Sequence, residues 1–359
     1  MKTPWGELRD LDLANHATAA EILSADKHTL LEGLVVESLF DQIVANVPSV
    51  SGEKITALDV ESVVVDTQRS QERWIAFVWV RNKSAGLARY LARLSTIFTT
   101  FLVNYEDGEF FAVRMNGAVR VGEPQLLSEL MTELSGKPYS PFKVNTSVRD
   151  SLRQQQAIWG FLFTQYRDRV GERVVLPRLF INCAIQPYFQ SVWNLDRVFV
   201  IDKEVWIFEI KHKFPMSSWR GLSFGINDGE LQVLSKLADA GIKCLHTILV
   251  KPYWTKNATS MYLLTDLEIR DRAAVIATVL DRNTLDEIGI TSSSTAGRHT
   301  SVNGESSVKF KSIDLGKFSK LGQFSDPARE IASNMSALMD GGSRTIASAD
   351  WLKSLRAEL

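Results

Sequence analysis

Apolar residues recur at three- and four-residue spacing through Leu30, Leu31, Leu34, Val35, Leu39, Ile43 and Val44. That pattern predicts an amphipathic helix to about residue 46, closed by Pro48 and Gly52. Two β-rich runs follow, Ile55 to Val65 and Trp74 to Val80. The second is apolar at every position, as a strand buried on both faces requires. A helix is expected from Ala85 to Leu102, then a hairpin in which Phe110 to Met115 and Ala118 to Val121 flank the Asn116-Gly117 turn. These elements make residues 1–140 a mixed α/β N-terminal domain. The prolines of Gly136-Lys137-Pro138-Tyr139-Ser140-Pro141 mark its boundary, since they disfavour continuing any element.

A second unit is expected over residues 147–290. A helix should run from Ser147 to Gly171, with Leu152, Ile158, Trp159, Leu162, Phe163 and Tyr166 on its apolar face. Three strands follow, Arg178 to Gln186, Asp196 to Ile201 and Glu204 to Lys211. Then come a helix over Asp228 to Ala240 and a strand over Leu245 to Val250. Asn227 or Asp228 is placed to cap that helix and Gly241 to end it. Beyond these, a helix is expected over Asp266 to Leu280 and an exposed low-complexity loop over residues 291–308, rich in Ser and Gly. Residues 309–359 read as a helical C-terminal extension, with Trp351 and Leu355 on one face.

Composition narrows the function classes. The chain has 359 residues, 45% hydrophobic and 23% charged, which is globular and long enough for two or three domains. Lys and Arg number 41 against 42 Asp and Glu, a net charge of -1, so no global field draws the chain to polyanions. Nucleic-acid binding therefore has to come from a local patch. Cys183 and Cys244 lie inside apolar runs, where buried, reduced thiols are expected. Trp5-Gly6-Glu7-Leu8-Arg9-Asp10 interrupts the place of a signal-peptide core, and no window reaches the ~18 apolar residues of a membrane span. The expectation is a cytoplasmic protein with no membrane partner.

The chemistry concentrates in one stretch, from Asn194 to Lys211. Two β-branched and aromatic runs flank Asp202-Lys203, which predicts a hairpin turning there. Pairing Ile201 with Glu204 and Val200 with Val205 carries the ladder down to Asp196 opposite Glu209. Their Cβ atoms would then lie about 4.5–5.5 Å apart, and the two-residue period places Lys211 on the same face. An odd-numbered loop would break this register. Two facing carboxylates on an apolar sheet repel each other, and a divalent cation removes the conflict. Oxygen-rich sites select Mg²⁺ or Mn²⁺, with the Ile210 carbonyl as a further ligand. Lys211 would then stabilise phosphate charge, completing a phosphodiester-hydrolysis site.

Asp196, twelve intervening residues and then Glu209-Ile210-Lys211, the only Glu-x-Lys in the chain, resemble the signature of the PD-(D/E)xK, or restriction-endonuclease-like, nuclease superfamily. The resemblance covers roughly Ser147 to Lys251. The expected order of helix, three-stranded antiparallel meander, helix and strand is similar to that superfamily's α/β core. It implies Mg²⁺-dependent cleavage of nucleic acid, with Asp196 and Glu209 as metal ligands and Lys211 catalytic. Many members carry a glutamine on the helix after the lysine strand, and Gln232 stands there. Many also carry a glutamate on the first core helix, whereas the middle of the Ser147 helix has Gln154, Gln155, Gln156 and Gln165. Leu195 replaces the usual proline before the first aspartate.

The leading expectation is a DNA endonuclease, of the kind the family supplies to prokaryotic restriction, phage defence or mobile elements. Its N-terminal domain would recognise substrate or a protein partner, and a homodimer fits the class. Two alternatives stay open: an inactive, nuclease-like DNA-binding or scaffold subunit, suggested by the missing helix glutamate, and an RNA-cleaving member of the same fold. His212, Lys213 and Arg220 either extend a phosphate-contacting edge or are simply solvated. Cys244-Leu245-His246 lacks a second ligand pair at zinc spacing and reads as buried strand. Gly221, Gly225 and Gly229 make no P-loop.

Overall fold

Strands rich in apolar residues form the inside of two six-stranded sheets in a computed structural model of the chain. It describes all residues except 27, 48–54, 70–71, 142, 144–151, 256–257, 259, 296–308 and 359. In chain order the elements that matter are α1 (His28–Val44), β1 (Ile55–Ala57), β2 (Val60–Asp66), β3 (Trp74–Val80), β4 (Thr99–Glu106), β5 (Glu109–Asn116) and β6 (Val119–Leu126). They continue with α2 (Leu152–Tyr166), β7 (Ser191–Leu195), β8 (Arg197–Ile201), β9 (Glu204–Lys213), β10 (Gly221–Asn227), α3 (Asp228–Asp239) and β11 (Ile242–Val250). The last are β12 (Ala274–Leu280), β13 (Lys309–Asp314), β14 (Ser319–Gln323) and α4 (Ala328–Met339).

The first sheet has the order β14-β12-β11-β9-β8-β1 and the second β6-β5-β4-β3-β2-β7. In the first, β9 and β11 are parallel and every other neighbouring pair is antiparallel. A four-stranded sheet built around β10 and β13 lies beside them. The protein is thus mixed α/β, as expected. Alternation along β9 sorts its side chains between two cores: Trp206, Phe208 and Ile210 join Leu34, Val35 and Phe40 of α1, while Val205 and Ile207 join Leu231, Leu234 and Leu237 of α3. Phe208 stacks on Phe199 of β8 with ring centroids 4.3 Å apart, worth about 0.5–1.5 kcal/mol beyond simple burial. The two-residue period therefore presents Glu209 and Lys211 to the α3 side of the sheet.

Several expected elements are corrected. The Arg178 to Gln186 run is helical, continuing the turns from Leu176–Leu179 through Phe180–Ile185, and it is buried on all sides. Its polar residues Arg178, Asn182 and Gln186 recur every four positions, the spacing of a helix face rather than of a strand. The expected Asp266 to Leu280 helix ends at Asp271, and its second half is the inner strand β12. The Ala85 to Leu102 helix likewise stops at Leu94 and gives way to β4.

The expected three-stranded meander is not formed; only its β8-β9 hairpin is, and a strand from far earlier in the chain lies on the open edge of β8. That strand is β1, which pairs antiparallel with β8 through Ile201↔Ile55, whereas β7 joins the other sheet beside β2. The boundary near residue 140 consequently does not separate the sheets. Nor is 309–359 an appended helical tail, because β13 and β14 are built into two of the sheets. The 291–308 loop falls largely outside the described residues. Among the described residues no helix is long and apolar enough to cross a membrane. Cys183 and Cys244 are both free and buried.

Candidate active site

The β8-β9 hairpin turns at Asp202-Lys203. Asp202 takes the left-handed conformation, φ 47°, which a short polar side chain tolerates better than a branched one. Ile201 pairs with Glu204, and the ladder runs without a bulge to Arg197 opposite Phe208. Asp196 lies one residue beyond the ladder. Its Oδ2 accepts a hydrogen bond from the Ile210 amide at 2.8 Å, which fastens the carboxylate to the strand that carries Glu209 and Lys211.

Asp196, Glu209 and Lys211 share a cavity of about 470 Å³ with Glu37, Glu230 and Lys251. Glu209 is 5% exposed and forms an ion pair with Lys211, whose ammonium also lies 3.6 Å from Glu230 Oε1. Burial, and then the charge of Asp196, push the Glu209 carboxyl up to about 8. Burial and Asp196 also raise Glu37, to about 7, against the pull of Arg178 and Arg197 at 3.8 and 3.7 Å. Glu230 moves the other way, to about 2, because Lys211 and Lys213 outweigh its burial. Burial opposes the Lys211 charge, yet Glu209 and Glu230 together hold that ammonium firmly protonated. At Glu209, burial and the Asp196 charge thus outweigh the pull of its Lys211 partner.

The helices were placed differently from expectation. Gln232 is exposed on the outer side of α3, in a groove with Ser235, Lys236 and Arg282, and does not reach the cavity. Two residues earlier on that helix, about 200° around it, Glu230 points inward. Gly229 permits this approach, since a Cβ there would lie 2.8 Å from the Trp193 ring of β7. A further carboxylate, Glu37, reaches the cavity from α1, on the opposite face of the sheet. Sequence offered one signal for it: Glu37 and Asp41 form an unfavourable i,i+4 like-charge pair on that helix. The fold resolves that repulsion through Arg197, which grips Asp41 with two hydrogen bonds of 3.0 Å.

A second network holds α1 against β9. Ser260 Oγ donates to Glu32 Oε2 at 2.8 Å and lies 2.9 Å from His212 Nδ1, while His212 Nε2 lies 2.6 Å from the Tyr262 hydroxyl. Burial holds the His212 ring well below its ordinary pKa, so it is neutral and each of these bonds has a donor and an acceptor. His212 is therefore structural as well as cavity-lining. Lys213 donates to the Gly225 carbonyl at 2.6 Å, tying the end of β9 to β10.

Among the described residues no group of three or more His, Cys, Asp or Glu side chains is arranged to hold a metal ion. The pair Asp196 and Glu209 does fit a hydrated hard cation, which takes one or two carboxylates and keeps several waters. No family model, curated protein or solved structure matched the chain.

Proposed function

We propose that the chain is a metal-dependent nuclease of the PD-(D/E)xK type, acting on phosphodiester bonds of nucleic acid. Supporting this, α1, β1, β8, β9, α3 and β11 follow in the order helix, three strands, helix, strand, with residues 58–196 inserted after the first strand. In this reading Glu37 fills the place of the helix glutamate. The observation that carries the proposal is the fastening of Asp196 to the Ile210 amide, beside a buried Glu209 and its Lys211 partner in one cavity.

Asp196, Glu209 and the Ile210 carbonyl would hold Mg²⁺ or Mn²⁺. When bound, such an ion polarises the phosphate and acidifies a coordinated water. Lys211 keeps its proton and places a cation beside the charge that develops on the phosphate. Glu230 holds the Lys211 ammonium inside the cavity, at 3.6 Å. The Glu32, Ser260 and His212 chain sets the position of α1 and with it Glu37.

The test is incubation of the full chain with Mg²⁺ or Mn²⁺ and duplex DNA, single-stranded DNA or RNA, beside Glu209→Ala and Lys211→Ala. Metal-dependent cleavage lost in both variants is expected, and the same panel separates DNA from RNA. Intact substrates throughout, or variants that cut like the wild type, would falsify the reading. The absence of a three-ligand group among the described residues favours a second reading, a non-catalytic nucleic-acid-binding subunit. Under that reading Mg²⁺ produces no rise in melting temperature.

A further inference from the structure

The chain leaves the cavity at Lys213 and returns to it at Asn227, and between the two it forms a projecting hairpin. Its tip is tight: Ser218 pairs with Gly221, leaving Trp219 and Arg220 as the two central residues. Such turns favour Gly, Asn, Asp or Pro for conformational reasons, and neither Trp nor Arg meets them. Gly221, at φ 114°, supplies the backbone freedom instead. Packing does not explain the tryptophan either, because Trp219 is 88% exposed and is the largest exposed apolar side chain. The Arg220 guanidinium lies over its indole, 4.7 Å from the ring centroid.

We propose that Trp219 and Arg220 form a stacking finger for the nucleic acid whose phosphate lies in the cavity, Trp219 taking the face of a base and Arg220 an adjacent phosphate. This rests on the nuclease reading for the identity of the strand. An indole accepts any base face, so the contact is sequence-tolerant, and it suits a chain whose net charge is -1 and which cannot rely on a broad basic surface. The finger is anchored rather than free, since Lys213 bonds to Gly225 and β10 pairs with β13 through Phe224↔Ile313. From Lys213 to Trp219 an extended chain reaches at most about 20 Å. Two further residues back to Lys211 bring the reach to about 27 Å, so at about 3.4 Å per nucleotide the stacked base lies within roughly eight nucleotides of the phosphate at Lys211.

The experiment uses the full chain with Ca²⁺ in place of Mg²⁺, so that a tailed duplex DNA is held uncut, and measures binding by fluorescence anisotropy. Trp219→Ala should weaken binding roughly 5- to 100-fold, with Trp219→Phe restoring most of it. 2-Aminopurine placed along the tail should be quenched only within about eight nucleotides of the cut site, and only when Trp219 is present. If no protein cleaves but these Trp219-dependent effects persist, the nuclease reading fails and the finger stands. If Glu209→Ala abolishes cleavage while Trp219→Ala binds and cuts like the wild type, the finger is wrong and the nuclease stands. Wild-type protein that fails to bind DNA overturns the finger. So does Trp219-dependent binding to phosphatidylcholine–phosphatidylserine vesicles without any to DNA.

Discussion

Replacing Glu209 by glutamine should make the metal-free protein more stable while removing its activity. The carboxyl rises from its ordinary 4.5 to about 8 through burial and the neighbouring Asp196, so ionising it in the folded state costs free energy that the unfolded chain does not bear. With the folded value above the unfolded one, stability is fully present below about pH 4.5 and is lost as pH rises through about 8. At about 1.4 kcal/mol per pH unit that interval sets an upper bound of about 5 kcal/mol. Water entry and local relaxation absorb part of it, leaving an expected gain of about 2 kcal/mol at pH 8, or about 4 °C in Tm.

The assay is thermal unfolding of wild type and Glu209→Gln in EDTA between pH 5 and 9, repeated in Mg²⁺. The difference between the two curves should widen with pH, because contributions from the other titrating groups are shared. Saturating Mg²⁺ should then stabilise only the wild type, by about 2.7 kcal/mol at a hundredfold excess over Kd, closing the gap. A glutamine variant that melts at or below the wild type at pH 8 in EDTA would refute the claim that burial and Asp196 outweigh the Lys211 partner at Glu209. Equal stabilisation of both proteins by Mg²⁺ would refute its role as a ligand.

Lys211→Met should lower the cleavage rate about 100- to 1000-fold yet keep the Mg²⁺-dependent rise in Tm, and a variant that lost both would point to a structural lysine. Gln232→Ala should change stability by less than about 0.5 kcal/mol and leave cleavage intact, since that side chain is exposed away from the cavity. Glu230→Gln should flatten the acid limb of the stability curve: Glu230, lowered to about 2 by Lys211 and Lys213 against its burial, contributes stability present above about pH 4.5 and lost as pH falls through about 2. Urea titrations at pH 3 and pH 6 would show it, and an unchanged acid limb would contradict the assignment. Arg197→Ala should cost about 1 kcal/mol in urea unfolding, because the partly exposed Asp41 loses its two hydrogen bonds while Glu37 keeps Arg178; a loss near zero would mean that water replaces it.

What the sequence alone determined was local. The alternation of apolar side chains and a two-residue turn were enough to set the β8-β9 register, and with it the common position of Asp196, Glu209 and Lys211, because a strand's period of two leaves no freedom once the turn is placed. Tertiary structure decided everything that required distant segments to choose a neighbour. Ile55–Ala57 rather than Ser191–Leu195 took the free edge of β8, α1 rather than the helix before the motif delivered the acid, and α3 turned Glu230 instead of Gln232 into the cavity. Edge pairing and helix rotation depend on the shape and apolar area of both partners, and a periodicity read along one segment describes only one of them. The same limit explains β12: an apolar run long enough for a helix became a strand because two neighbouring strands were present to pair with it.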